Sequence, residues 1–202
     1  FVAFLGWTPP SNIASEILNI AELINAFEIS KINKSESQVD TSKLAWINRQ
    51  HLNLKIANNS DQLALELSEM LPNRWDRAND LEYCKSVIML MKDRIYTLRD
   101  IPNLCSYFFT LPTSREPCPT GVPMEAQESL RKHLLNNIQK STNFKDSIQQ
   151  AFSNSSVIAP TLKRTEIMAF YRWLLTGTRV GAPLADTAVV LGRGEVLRRL
   201  HL

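Results

Sequence analysis

The stretch "LTGTRVGAPLADTAVVLGRGEVLRRL", Leu175 to Leu200, decides how the rest of the chain is read. It combines a helical apolar pattern punctuated by glycine and proline with a row of arginines that have no evident carboxylate partner. Pro183 starts a short helix through Leu184, Ala188 and Leu191, because a first-turn residue needs no backbone N–H. Gly192 then supplies the stop, and Glu195 to Leu200 forms another turn or two. Upstream, Ile167, Phe170, Tyr171, Leu174 and Leu175 make an apolar stripe that Pro160 opens and Gly177 closes in the left-handed conformation. The pattern predicts short helices joined by tight turns.

The same signals run through the middle of the chain. Asn79 followed by Glu82 predicts a capping box, after which Leu81, Cys84, Ile88, Met91 and Ile95 recur at helical spacing. Asn59 with Gln62 opens a similar helix, with Leu63, Leu67 and Leu71 on one face and Pro72 ending it. No run of alternating β-branched residues is bounded by a hairpin turn, so the expected fold class is all-α: successive small helical bundles preceded by a short helical segment. Leu111 to Pro123, "LPTSREPCPTGVP", has four prolines and a glycine, which is linker chemistry and marks a domain boundary.

With 44% hydrophobic and 21% charged residues, 202 residues suffice for one or two globular domains. No apolar run approaches the roughly 18 residues that cross a bilayer, so no membrane partner is expected. Cys84, Cys105 and Cys118 form no CxxC pair, and His51, His133 and His201 lie far from them, which argues against a metal site. The three cysteines suit reduced thiols, with one disulfide plus a free thiol as the other possibility. The opening "FVAFLGW" needs an earlier partner to pack against, which predicts residues ahead of Phe1.

Charge is uneven. Residues 111–202 hold 12 Lys and Arg against 7 Asp and Glu, a net +5, whereas residues 1–60 balance at 5 against 5. A basic final part points to a polyanionic partner, with a solvated helical surface as the plainer alternative. No GxSxG, HExxH, GxxxxGK[ST] or GxGxxG motif is present, and "GTRVG" and "GRG" lack the preceding strand of a phosphate loop. Asp76, Asp80 and Glu82 flank a helix start, where carboxylates favour the positive end of the dipole. Catalytic residues are therefore expected to be absent, and binding is the better direction. Arg164, Arg172, Arg179, Arg193, Arg198 and Arg199 sit among the short helices, and their planar forks suit phosphates or base edges of single-stranded RNA loops.

Particular words of the sequence add to this. "FVAFLGWTPP", the block Asp40, Lys43, Leu44, Trp46, Asn48, His51 and Leu52, "VIMLMKDRIYTLRDIPNLCSYFF" and the closing "YRWLLTGTRVGAPLADTAVVLGRGEVLRRL" resemble, in order and spacing, the part of bacterial-type glutamyl-tRNA synthetases that follows the catalytic domain. The resemblance covers the whole chain. It implies a stem-contact segment over 1–57, a helical anticodon-binding subdomain over 58–111, a linker over 112–123 and a second such subdomain over 124–202. The parent enzyme would be a class I glutamate–tRNA ligase whose ATP and Mg²⁺ bind upstream, with no cofactor in this chain. Its partner would be tRNA of the glutamate acceptor, the glutamine acceptor remaining open, and it would be a monomer. By position, Arg94 would read the last anticodon base, and Gly181 and Leu184 would line the anticodon pocket. Arg179 and its neighbour Arg172 would hold phosphates, and Lys43 and Trp46 would touch the inner corner of the tRNA.

Two departures stand out. The linker is richer in proline than the family pattern, and Leu174 replaces the alanine of the R-x-A-L-T-G signature. The diverged wording resembles mitochondrial members, which implies a mitochondrial matrix location, with the bacterial cytoplasm as the alternative. A repurposed, catalytically inactive helical RNA-binding or assembly subunit of a larger complex is the competing function.

Overall fold

A computed structural model describes residues 1–10, 16–33, 38–112, 116–119 and 121–201. Its helices are α1 (Ile20–Ala26), α2 (Thr41–Asn58), α3 (Ser60–Met70), α4 (Leu81–Met91), α5 (Asp100–Leu104), α6 (Met124–Lys140), α7 (Phe144–Ile158), α8 (Arg164–Thr176), α9 (Leu184–Leu191) and α10 (Arg193–Leu200). Three short 3₁₀ turns, Val2–Phe4, Ile29–Lys31 and Ser106–Phe108, complete the element order. Among the described residues there is no β-strand, only an isolated antiparallel bridge between Trp7 and Ile32, so the all-α reading holds. No helix among them is long and apolar enough to cross a membrane.

Local side-chain chemistry starts these helices, though not always where the sequence predicted. Asn19 and Glu22 form a full capping box at α1, with bonds of 2.9 and 2.7 Å. Asp40 starts α2 by accepting the N–H groups of Ser42 and Lys43. The α4 cap is Asp80 rather than Asn79: its carboxylate accepts the Tyr83 N–H at 3.0 Å, an interaction a charged oxygen makes more strongly than an amide. Asn59 makes no side-chain cap at α3, because it simultaneously closes α2 through its N–H to Lys55 O. Pro160 lies in the turn between α7 and α8, and the helix it was expected to open begins at Arg164, where Glu166 accepts the Lys163 N–H. Within the α4 pattern, Leu81 is exposed and Ile95 is buried beyond the helix end.

One apolar cluster runs from Leu52 and Ile56 on α2 to Leu200 on α10. Helix α3 packs on α4 and α6 on α7, while α9 bridges α4 and α7, so both sides of the proline-rich segment share one core. Leu174, the departure in the closing signature, is fully buried in it. The described part of the proline-rich segment is strapped to α8: Glu116 donates its N–H to Gly177 O, and Trp173 Nε1 donates to Glu116 O at 2.6 Å. Residues 113–115 and 120 of that linker lie outside the described residues.

A buried arginine fastens this arrangement. Arg199 is 1% exposed. Its Nε donates to Glu195 Oε1 at 2.6 Å, Nη1 to Leu175 O at 2.5 Å, and Nη2 to Tyr107 O at 2.6 Å and Thr110 O at 3.2 Å. One guanidinium thus ties α10 to the end of α8 and to the turn that carries Tyr107. Burial pushes its pKa down from the ordinary arginine value, and the Glu195 carboxylate opposes that shift.

Candidate nucleic-acid interface

The end of α8 folds back on itself. Gly177 takes φ 73°, the left-handed conformation that glycine adopts without steric cost, and its N–H donates to Trp173 O. Thr176 Oγ1 donates to Arg172 O at 2.7 Å, and Thr178 Oγ1 donates to Val180 O at 2.9 Å, which compacts the turn. Gly181 and Ala182 consequently return beside α8, where Arg172 Nη1 donates to Ala182 O at 2.6 Å. A Cβ on Gly181 would stand 3.0 Å from both Arg172 Nη1 and Tyr107 Oη, so a side chain there would push one or both aside.

The turn following α4 carries Arg94, whose charge acts on both Arg172 and Tyr107. Its backbone N–H donates to Met91 O, and its side chain is exposed. Burial lowers the Arg172 pKa, and the positive charge of Arg94 acts in the same direction while Tyr107 opposes it. Arg94 and Arg172 are therefore like charges within electrostatic reach, and neither forms an ion pair among the described residues. Such a pair favours an incoming anion or a row of carbonyl acceptors. The structure brings Arg172 and Gly181 together and adds Tyr107, which the sequence reading missed, with the charge of Arg94 acting on both side chains.

Along α8, Arg164, Met168 and Arg172 stand four residues apart on one face. With Thr165, Ala169 and Arg179 they line a shallow cleft of about 410 Å³, and none of these lining residues is acidic. Arg164, at the first turn, makes no ion pair among the described residues. Arg179 is exposed but partly engaged, 3.7 Å from Glu116 and donating to Pro117 O at 3.1 Å.

The remaining arginines serve the fold, which corrects the reading of an unpartnered basic row. Arg193 donates to the carbonyls of Ser141 and Thr142 and lies over the Phe144 ring. Arg198 pairs with Glu195 at 2.8 Å and with Asp76 at 3.1 Å, and Arg199 is the buried clamp. Asp76 and Glu116 come from far along the chain, so spacing alone conceals them. Leu184 is 8% exposed and belongs to the core, leaving the backbone around Gly181 as the turn's accessible face. Lys43 pairs with Glu16 at 2.8 Å, and Trp46 is 44% exposed on the same helix, outside the core. These two belong to a separate surface on α2.

The cysteines are free, and Cys84 and Cys105 are buried. Burial pushes the Cys84 thiol up to about 11 and the Cys105 thiol up to about 12, which makes both poor nucleophiles at neutral pH.

An all-α scaffold presenting a carboxylate-poor, arginine-lined surface defines a helical nucleic-acid-recognition module. More narrowly, the chain belongs to the anticodon-binding-domain family, whose model, described as "Anticodon binding domain", matches residues 62–202. It is 31% identical over 205 residues to the glutamate–tRNA ligase 1 of Fervidobacterium nodosum, covering 100% of this chain and 40% of that protein. It is 26% identical over 208 residues to the mitochondrial glutamate–tRNA ligase of Schizosaccharomyces pombe, covering 100% of this chain and 39% of that protein. A crystal structure of a glutamate tRNA ligase from Elizabethkingia meningosepticum, in complex with its amino acid, shares the fold with a TM-score of 0.79 at 24% identity, covering 99% of this chain and 39% of that one. The chain thus spans about 40% of the length of the curated relatives it matches.

Proposed function

We propose that these residues are the tRNA-recognition part of a glutamate–tRNA ligase, reading the anticodon of its tRNA with the surface around Arg94, Arg172 and Gly181. The observation that carries this is the Arg172 guanidinium held against the Gly181 turn with no ion pair among the described residues, beside a cleft lined by Arg164 and Arg179. Arg94 and Arg172 donate to an unstacked base, and Arg164 and Arg179 hold the adjoining phosphates. Lys43 and the exposed ring of Trp46 form a second contact toward the inner corner of the tRNA, with Trp46 offering a stacking face.

In this reading glutamate activation belongs to residues of the parent ligase outside the 202 described by sequence. ATP and Mg²⁺ would bind there as well. The parent works as a monomer on tRNA of the glutamate acceptor, with the glutamine acceptor as the alternative. A mitochondrial matrix location follows the mitochondrial relative, and a bacterial cytoplasm follows the bacterial ones.

The test is the salt dependence of tRNA binding. Each lost phosphate contact lowers the slope of log K against log salt by about 0.7 to 0.9. Arg164→Gln and Arg179→Gln should each lower it by about that amount. An unchanged slope in both variants refutes the phosphate-holding role.

A further inference from the structure

Four buried side-chain atoms among the described residues lack a hydrogen-bond partner, Trp7 Nε1, Arg49 Nε, Asn53 Oδ1 and Tyr107 Oη, and of these Tyr107 Oη stands beside the Arg172–Gly181 turn. The residue is 3% exposed, in the 3₁₀ turn Ser106–Phe108, with its ring tilted against Phe108 at 4.7 Å. Its Oη is buried and has no hydrogen-bond partner. The other buried tyrosines are satisfied: Tyr83 donates to Phe108 O at 2.6 Å and Tyr171 to Leu130 O at 3.2 Å. Burial pushes the Tyr107 hydroxyl up to about 12. The Ala182 N–H acts on it from nearby yet falls outside hydrogen-bonding geometry.

An orphaned buried hydroxyl destabilises the fold, and phenylalanine would fill the same space without that cost. Its surroundings suggest what satisfies it. Oη and Arg172 Nη1 both reach the point where a Cβ of Gly181 would stand, 3.0 Å from each, so glycine at 181 is what lets the hydroxyl and the guanidinium converge. The Tyr107 backbone is fixed from behind by the buried Arg199, which takes its carbonyl at 2.6 Å. Above it, Arg172 is half-buried and gives its one guanidinium hydrogen bond among the described residues to Ala182 O.

The geometry points to Tyr107 as a base-reading residue: once the Arg172 guanidinium, held by its one hydrogen bond to Ala182 O, swings away, the hydroxyl takes an N–H of an unstacked nucleobase whose carbonyl accepts from Arg172. Arginines supply only donors, so a base edge mixing carbonyls with an N–H needs an acceptor beside them, and the phenol is the neutral group there that accepts as well as donates. This inference rests on the anticodon-reading function proposed above.

The test uses the 202-residue chain and transcripts of the glutamate-acceptor tRNA in which each anticodon base is changed in turn, at fixed salt. Tyr107→Phe should leave the urea midpoint unchanged or raised, because Oη contributes no hydrogen bond to the fold. It should weaken binding to the native anticodon by about five- to tenfold, the worth of one hydrogen bond to a base, and leave affinity for a transcript altered at one anticodon position as it was. Native affinity and selectivity in Tyr107→Phe overturn the proposal, as a hydroxyl satisfied by a trapped water predicts. A lowered urea midpoint also overturns it, since the hydroxyl would then be serving the fold. If the unaltered chain itself fails to distinguish anticodons, the anticodon-reading function falls, and that arm is read without any variant.

Discussion

Replacing Arg199 with alanine tests the packing that holds the interface together. The side chain is 1% exposed and makes four hydrogen bonds, to the Glu195 carboxylate and to the carbonyls of Leu175, Tyr107 and Thr110. Removing one member of a buried ion pair costs about 3 to 5 kcal/mol. Each carbonyl left unsatisfied adds up to about 1 to 3 kcal/mol, reduced where the second lone pair stays bonded or water enters the vacated space. Glu195 is 21% exposed, so its charge is partly relieved by solvent, and about 4 kcal/mol is the figure we adopt. At about 2 to 4 °C per kcal/mol for a chain of this size, the melting temperature should fall by about 8 to 16 °C. Urea unfolding followed by far-UV circular dichroism measures it, with Arg198→Ala as the comparator. Arg198 pairs with the same Glu195, but its side chain is 46% exposed, so its loss should cost less than about 1 kcal/mol. Losing Glu195 and Arg199 together should cost less than the sum of the single losses, because a double-mutant cycle through a shared ion pair is not additive. Equal, small losses for Arg199→Ala and Arg198→Ala would refute the clamp.

Four further predictions concern caps, turns and thiols. Asp80→Ala should destabilise the chain by about 1 kcal/mol through loss of the α4 cap. The Tyr83 N–H first, and the Arg77 pair after it, hold the Asp80 carboxyl below its ordinary value, so its contribution is present above the usual carboxylate range and disappears as pH falls through the folded value; acid titration of urea midpoints shows this. Gly177→Ala should cost about 1 to 2 kcal/mol, the price of a left-handed Cβ at φ 73°, read as a shift in the urea midpoint. In native protein at pH 8, iodoacetamide should modify Cys118, which is partly exposed, well before the buried Cys84 and Cys105. Because those two thiols titrate at about 11 and about 12 when folded, against 9.0 ordinarily, stability should decline as pH rises above about 9, where the unfolded thiols ionise first.

What the sequence revealed depended on whether a signal was local. Helical periodicity and the stops at Gly177 and Gly192 depend on neighbours within a few residues, and α8, α9 and α10 lie where that pattern puts them. Arg172 and Gly181, nine residues apart across the same turn, were legible in the same way. For Arg198 and Arg199 only the pairing with Glu195, three and four residues back, lay within local reach, because Asp76, Tyr107 and Thr110 are about 90 to 120 positions away and only the packed core brings them close. Tyr107 was missed for a related reason. A tyrosine in an apolar run, "SYFF", reads as core, and only the coordinates show its ring packed while its hydroxyl stands unpaired against Gly181. Neighbouring Asn79 and Asp80 are both good caps, and which one closes the first turn is decided by a single hydrogen bond that periodicity does not resolve.

The most direct measurement is the dissociation constant of the 202-residue chain for glutamate-acceptor tRNA against the same tRNA with its anticodon exchanged, at one fixed salt concentration, with Arg94→Ala beside it. An anticodon reader predicts that the exchange weakens binding by at least about tenfold, and that Arg94→Ala removes most of that difference while retaining the salt-dependent remainder. Equal affinity for both tRNAs would contradict the account.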